Sequence, residues 1–546
     1  MFMRTIKAKN KDGSGRAYGQ LVESRRIDGK PTPIVLAHLG RIDRDEDKIK
    51  FQKMAESILK AVSQFELVDL LKDLTSEGAK EYGPFLIYQR LFNELGMAEI
   101  LRDNFKDLRA DFDIVNAIFN MMLNRLSAPC SKRQMTIWEQ NIEGIPNYPE
   151  HQYYRALDYL IEKKEEIEKS VFSDMRDLFC QELDIVLFDT TSLVYYGKGN
   201  GEEEKPEDQQ LLDYGFSKAH RSDLKQVVVG VIMSKEGVPL GHEVWSGNTN
   251  DVKCFKEVIE QVRQKYGLSR IILVGDRGMI SKNNIEAIEK SGLEYILGYR
   301  MRTIAKEERS KLLSQANLRK LKNSELEFKE VTYQGKRLIV CYNAERAEKD
   351  KRHRERDIEK LREKLKSSKS IKQLISNPQY KRFIKINETK TTAKLDEEKI
   401  KNDELYDGIF VLTTNTNLSA VQCVERYKDL WQVEHAFRAL KSELEMGPIY
   451  HWKDDRIRAH IMVCFLAFCL RAAFYKKIAQ MKEKMSITQV NSDLKALRAV
   501  ELKIKSKTVK LRTELKEGAS LAFKAIGMKV PNRILHSDIQ TVAIHA

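Results

Sequence analysis

The spacing of apolar and polar positions divides the chain into segments of different period. Over residues 1–45 the period is two: YGQLVESRRI and PTPIVLAHLGRI flank an Asp28-Gly29 turn signal and predict a small β-hairpin. From 46 to 180 apolar residues recur three and four apart, as in FLIYQRLFNELGMAEIL and IVNAIFNMMLNRL, and predict a helical domain. Near 181 the pattern changes. LDIVLFDTTSLVYY, VVVGVIM and PLGHEVWSG read as successive strands, the last two joined by Glu236-Gly237. DVKCFKEVIEQVRQKYG reads as an amphipathic helix, IILVGDRGM as a fourth strand, SKNNIEAIEKSG as a second helix and EYILGYR as a fifth strand. The order βββαβαβ over 181–300 describes three antiparallel strands joined through helical crossovers to further strands, a compact α/β solution.

Residues 301–408 interrupt this pattern. They contain a hairpin candidate, LEFKEVTYQGKRLIVCYN, turning at Gln334-Gly335, then a charged helix, ERAEKDKRHRERDIEKLREKLKSSKS, and a short strand, RFIKI. The interleaved charges of that helix read as a solvated face. Over 409–475 the core pattern returns, with the strand GIFVLTTN followed by one long amphipathic helix over 418–444. The apolar run IMVCFLAFCL is too short to span a bilayer and reads as a buried helix. Residues 476–546 read as basic and helical, including VELKIKSKTVKLRTELK.

A chain of 546 residues predicts two to four domains. Its net charge of +15 favours a polyanionic partner, nucleic acid first among them, although a basic solvated surface gives the same sum. Arg125, Lys132 and Arg133 add to the helical segment, which suits docking on DNA and equally suits an ordinary helical domain. The seven cysteines are scattered, and the closest pair, Cys464 and Cys469, fits neither a disulfide framework nor a zinc module. With no apolar leader in MFMRTIKAKN, a reducing cytoplasm is the expected compartment.

Two aspartates end apolar strands. Asp189 follows IVLF and Asp276 follows IILVG, positions where a carboxylate needs solvent or a partner to offset desolvation. With no accompanying His/Cys set, the partner that suits them is Mg²⁺, which prefers oxygen ligands; either residue alone reads as well as a turn or cap aspartate. In an uninterrupted helix at 100° per residue from Tyr427, Glu434 falls near about −20°, Lys441 near about −40°, Arg438 near about +20° and Trp431 near about +40°. Tyr427, Glu434 and Lys441 then share a polar face beside the core stripe of Leu430, Val433, Phe437, Leu440 and Leu444. An i,i+4 ion pair of Glu434 with Arg438 is the simpler reading of that glutamate.

LFDTTSL, YGFSKAHRSDLKQVVVGVIM, PLGHEVWSGNTND, GDRGM and YKDLWQVEHAFRALKSELEMGPIYHWKDDRIRAHI, in this order, resemble bacterial insertion-sequence transposases of the DDE class. The resemblance is to the branch with a Tyr-x2-Arg-x3-Glu-x6-Lys signature, the insertion-sequence-four group, and is close over about 180–300 and 405–475. It implies an α/β fold with an RNase H-like catalytic core (βββαβαβ-insertion-α) between helical N-terminal and C-terminal regions, the insertion falling at 301–408. Asp189, Asp276 and Glu434 then become the catalytic carboxylates and ligands of Mg²⁺ or Mn²⁺. Tyr427 and Lys441 match the signature and are expected to grip DNA. The signature arginine is Leu430 here, a departure that Arg438, one turn beyond Glu434, is placed to offset. Trp431 and Trp452 read as base-stacking or packing residues, and His220, His435, His451 and His460 show no ligand spacing; His460 falls in the apolar helix. The implied partners are double-stranded DNA, as inverted-repeat ends and target, and a second copy of the chain. A bacterial cytoplasm with nucleoid association follows from the same resemblance. A nuclease or resolvase without strand transfer, and a silent DNA-binding descendant, are the alternatives.

Overall fold

The computed structural model describes residues 1–9, 15–27, 30–61, 74–179, 185–197, 210–216, 221–234, 237–249, 253–254, 257–258, 272–275, 282–301, 304–321, 325–367, 378–386, 393–504 and 506–538. They form two units. The first comprises Met1–Ala79, Ala499–Arg512 and Asn532–Ala546; the second comprises Lys80–Arg498 and Thr513–Pro531.

In the first unit, strands Gly15–Ile27 and Lys30–Arg41 pair antiparallel as the alternation predicts, and Phe2–Lys9 adds a third strand to them. The Asp28-Gly29 turn itself lies outside the described residues. Helix Asp45–Ala61 follows, and then a strand, Leu74–Glu81, within a segment expected to be helical. That strand joins a four-stranded sheet with Arg498–Ile504, Lys507–Arg512 and Ile534–Ser537. The expectation of a wholly helical C-terminal region is therefore corrected. Val500, Leu502 and Ile504 alternate with charged residues, as do Val509 and Leu511, and Val500↔Leu511 and Leu502↔Val509 pair across the hairpin. Period two and β-branched side chains outweigh the lysine content that suggested a helix.

The second unit opens with helices Gly83–Glu94 (α1), Met97–Phe105 (α2), Ile114–Ser127 (α3), Lys132–Trp138 (α4), Glu150–Glu162 (α5) and Lys164–Phe179 (α6). α1 and α2 divide what reads as one helical run, because Gly96 adopts a left-handed φ of 68° that a helix interior does not use. Nine strands follow: Ile185–Val194 (β1), Gln226–Ser234 (β2), Pro239–Ser246 (β3), Ile272–Gly275 (β4), Glu294–Tyr299 (β5), Arg319–Lys320 (β6), Leu326–Tyr333 (β7), Lys336–Asn343 (β8) and Ile409–Thr414 (β9). They build one sheet in the order β6-β7-β8-β9-β5-β4-β1-β2-β3. β1, β2 and β3 are antiparallel neighbours, whereas β1, β4 and β5 run parallel. That is the strand order and sense expected of an RNase H-like core. Helix Lys282–Lys290 (α7) joins β4 to β5; most of the helix predicted between β3 and β4 lies outside the described residues.

The interruption is partly absorbed by the core. Gln334 and Gly335, with φ of 51° and 73°, make the tight turn of the β7–β8 hairpin. β8 pairs with β9 through Val340↔Val411, so the hairpin extends the central sheet. The charged helix Ala344–Ser367 (α8) packs near a small ribbon of Ile384–Ile386 and Ala393–Leu395 around Leu361 and Phe383.

Helices Ala420–Lys428 (α9), Trp431–Arg438 (α10) and Asp454–Ala479 (α11) complete the sheet packing. α11 is long and apolar enough to cross a membrane, yet it is buried within the protein between α1, α3, α5 and β3. Its side chains are apolar around the full circumference because every side meets protein.

The helical layer is also tied to the sheet by charge. On α6, the buried Glu168 faces the buried His242 of β3, Nδ1 to Oε1 at 2.5 Å. Lys164 reaches Glu168 at 3.3 Å and Glu243 of β3 at 3.2 Å. Burial opposes charge on Lys164, but Glu168, Glu243 and Glu165 outweigh it and hold the ammonium above the usual lysine range. Glu168→Ala removes the buried carboxylate that meets both Lys164 and His242 and is expected to cost about 1–3 kcal/mol, although Glu165 and Glu243 still face Lys164. Glu166→Ala, which breaks an exposed pair with Lys163 at 3.8 Å, is expected to cost under ~1 kcal/mol. Urea denaturation of both variants checks the contrast, and equal midpoints contradict it.

Candidate active site

Asp189 does not end its strand as expected but lies in the middle of β1, because pairing with β2 carries the strand on through Thr190–Val194; it is half-buried between the buried Phe188 and Thr190. Its Oδ1 accepts the Thr190 N–H at 2.7 Å, which fixes the carboxylate against its own strand. Cross-strand partners share a sheet face, so Asp189 sits with Val231 of β2 and His242 of β3. That face is the one the helices cover, since the His242 ring stacks on Phe465 of α11 at 4.8 Å. The last β1–β4 pair is Leu187↔Val274, two positions before Asp189. Asp276 stands two positions beyond Val274 in sequence and lies outside the described residues.

Glu434 is carried by α10, which packs on β1 and β2 through Val433, Ala436 and Phe437. The chain beyond α10 stays on the Asp189 face. Leu193, which faces the same way by the strand period, stands so close to Gly447 that a Cβ there would lie 3.1 Å from its Cδ2. Ile449 then bonds to the end of β1, its N–H to Val194 O and its carbonyl to Tyr196 N–H, both at 2.8 Å. The structure thus brings the elements bearing Asp189 and Glu434 together, with Glu434 exposed at the surface.

The uninterrupted helix over 418–444 is not formed. Leu430 N–H bonds to Tyr427 O, Gln432 to Asp429 and Val433 to Leu430, all three-residue bonds that separate α9 from α10. Each such step turns the chain by about 120° rather than 100°, so the face of α10 is rotated relative to that of α9. Tyr427 stacks instead on Phe410 of β9, rings 5.9 Å apart. Three strand spacings, about 14 Å, separate β9 from β1. At the other end, Ala439–Glu443 forms a π turn that carries the half-buried Lys441.

Arg438 is exposed, and among the described residues it makes no ion pair with Glu434. Trp431 is 54% exposed and meets the edge of His435; Trp452 is also exposed, with the Lys453 ammonium 5.2 Å from its ring. His460 is buried in α11 as expected, and burial holds it well below the usual histidine range. Its neutral ring therefore donates Nε2–H to Met446 O at 3.1 Å. His220 lies outside the described residues.

Pattern reading misses Arg471 and assigns Arg125 to possible DNA docking, whereas both hold this segment. Arg471 of α11 grips Glu443 Oε2 through Nε and Nη2 at 2.9 and 2.6 Å, and Arg125 of α3 donates to Glu445 O at 3.3 Å. The only signal in sequence is charge inside apolar runs. Glu165, Glu168 and Glu243 also place oxygens within 4.8 Å of one another, but Lys164 contacts all three and serves as their cation.

Residues 181–470 match the family described as "Transposase DDE domain", and residues 3–68 match "IS1634 family transposase, N-terminal domain". No curated protein matches the chain. Among solved structures it is similar, at 10% identity and a TM-score of 0.38, to a piggyBac transposase synaptic complex with hairpin DNA, over 77% of this chain and 82% of that one. A Mos1 transposase paired-end complex with left transposon end aligns over 35% of this chain and 60% of that one, at 10% identity and a TM-score of 0.15. Neither overlay is close enough to carry a residue-by-residue correspondence.

Packing is tight on the sheet face opposite Asp189. Gly230 stands opposite Thr190, and a Cβ on it would lie 2.7 Å from Trp245 and 2.8 Å from Phe188. Both rings are large and enclosed, so Gly230→Ala is expected to destabilise by about 1–3 kcal/mol through overpacking. A urea midpoint equal to that of the wild type would mean that the rings yield without cost.

Proposed function

The chain belongs to the DDE transposases, and on that premise we propose that it binds the ends of an insertion sequence, cleaves DNA there and joins the freed strand to a target by in-line phosphoryl transfer. The observation that carries the reading is the family match over 181–470, the stretch that includes the nine-stranded sheet, α9 and α10. Asp189, Asp276 and Glu434 are the proposed catalytic and metal-binding residues. The set is all carboxylate, the hard oxygen chemistry that Mg²⁺ or Mn²⁺ takes. When bound, such ions activate the attacking hydroxyl and neutralise the leaving oxygen.

The chain's own contribution is positioning. Asp189 is held by its strand and by the Thr190 N–H, and Glu434 is held through the sheet contacts of α10. Lys441, Arg438, Trp431 and Tyr427 are proposed to contact DNA flanking the reacting phosphate, by charge, stacking and hydroxyl donation. Membership in the Tyr-Arg-Glu-Lys signature branch is part of this proposal; Tyr427, Glu434 and Lys441 support it, while the N-terminal match names the IS1634 family. Two DNA ends must be paired, so a homodimer on double-stranded DNA is the proposed working assembly.

Asp189→Ala, Asp276→Ala and Glu434→Ala are each expected to lower end cleavage by at least ~10³ while end binding persists. A gel assay with a 3′-hydroxyl donor end and a plasmid target measures both cleavage and joining. Full cleavage by any of the three variants overturns the assignment, and cleavage without joining by the wild type favours a nuclease.

Arg438 tests the departure at Leu430. An exposed arginine without an ion pair to Glu434 is available to DNA, so Arg438→Ala is expected to slow single-turnover cleavage by ~10-fold or more. Adding Leu430→Arg is expected to recover part of that loss, read as a double-mutant cycle. Cleavage by Arg438→Ala at the wild-type rate would end the compensation idea.

A further inference from the structure

Two cations lie buried side by side in the helical layer of the second unit without an acid between them. Arg125, in the last turn of α3, and Lys132, at the start of α4, are each only 4% exposed. Arg125 is bonded to neutral acceptors: Asn124 Oδ1 at 2.9 Å, Glu445 O at 3.3 Å and the Cys130 carbonyl. Its Nε is buried and has no acceptor. Lys132 has neither a hydrogen bond nor an ion pair among the described residues. The titratable groups that influence it are Arg125, Cys464 and Cys130; His451 and His460 sense both cations in turn. None of these is a carboxylate.

An ammonium in this setting is costly. Burial, and then the Arg125 charge, pull the Lys132 ammonium down to about 7. Packing alone gives no reason to keep a lysine at 132 beside Arg125, since a methionine there would fill the space without the cost of a buried charge. Lys132 Nζ, with no protein partner among the described residues, and the buried, unpaired Arg125 Nε are complementary to one group: an oxyanion with several acceptor oxygens.

We propose that Arg125 and Lys132 form a binding site for a phosphate-type oxyanion held between the ammonium and the guanidinium. The same chemistry is available from a nucleic-acid backbone phosphate or from free inorganic phosphate. The first source rests on the transposase reading, and the second does not. Occupancy would also bear on the segment after α10, because Arg125 holds Glu445.

The test uses the full chain as wild type, as Lys132→Met, which keeps the stem and removes the charge, and as Arg133→Met, an exposed neighbour. Melting is followed in sodium phosphate and in sodium chloride at equal ionic strength, and binding of a mixed-sequence duplex DNA is measured in chloride. A phosphate-specific rise in melting temperature of ~1 °C or more in wild type and Arg133→Met, absent in Lys132→Met, identifies a free-oxyanion site. A loss of duplex affinity of ~10-fold or more in Lys132→Met alone, with no phosphate effect, identifies a backbone phosphate. If neither ligand distinguishes Lys132→Met from the wild type, the site does not exist. Should Lys132→Met fail to fold, ¹⁵N titration of the Lys132 ammonium in wild type decides. A midpoint that rises with phosphate or duplex supports the site, and an unchanged midpoint with both overturns it. All of these are binding readouts, so the site stands or falls independently of the cleavage defect expected of Asp189→Ala.

Discussion

Helix α11 requires protein on every side, and that requirement organises the second unit. A helix of 26 residues with apolar side chains all round its circumference cannot lie on a surface. It is enclosed by α1, α3 and α5 on one side and by β3 on the other, so the helical layer and the sheet share one core. Its few polar residues then become structural levers. His460 and Arg471 project from α11 to Met446 O and Glu443, and Arg458 donates to Val244 O of β3 at 2.6 Å. The segment following Glu434 is therefore fixed from the same helix that fixes the sheet.

This arrangement explains why the helix bearing Glu434 is irregular at both ends. A straight helix from 418 to 444 has one apolar stripe, but the surfaces it must cover differ: α9 packs on β7, β5 and β4, whereas α10 packs on β1 and β2. The tightened turn at 429–430 and the widened turn at 439–443 change the rotation between those surfaces. Leu444 N–H bonds to Ala439 O and Met446 N–H to Leu440 O, which continues the unwinding into the stretch that docks on β1. Glu443 is thereby aimed at Arg471, and its charge is satisfied in place.

The sequence discloses strands better than it discloses how helices are divided. Runs such as IVLF, VVVGVIM and EYILGY are apolar because strands covered on both faces must be, and short enough that a helix is a poor alternative. Asp189 reads in sequence as a carboxylate ending such a run, and the polar TTS that follows it conceals that the strand continues to Val194. The break in the 418–444 helix was not visible, since each half obeys the same 3.6 period and only the sheet beneath distinguishes them. The burial of Arg125 and Lys132 is invisible for a similar reason: it comes from packing among helices, which local pattern does not encode. The lysine-rich strands Arg498–Ile504 and Lys507–Arg512 show the opposite error, in which composition masked a clear period of two.

The position of β1 in the sheet gives a reason for the site that is independent of family. β1 has a parallel neighbour, β4, and an antiparallel neighbour, β2, so strand sense changes beside it. The last pair of β1 with β4 is Leu187↔Val274, so Asp189 stands two residues beyond the last pair with its parallel neighbour. A carboxylate on that strand retains access to solvent although both sequence neighbours are buried, and Asp189 is half-buried where Phe188 and Thr190 are enclosed. The helical cover on that face must therefore stop short of Asp189 or leave a polar residue beside it. α10 meets the constraint by presenting Val433, Ala436 and Phe437 to the core while Glu434 stays at the surface. Two carboxylates thus stand where solvent reaches them, which is what the proposed binding of a hard divalent cation by Asp189 and Glu434 requires.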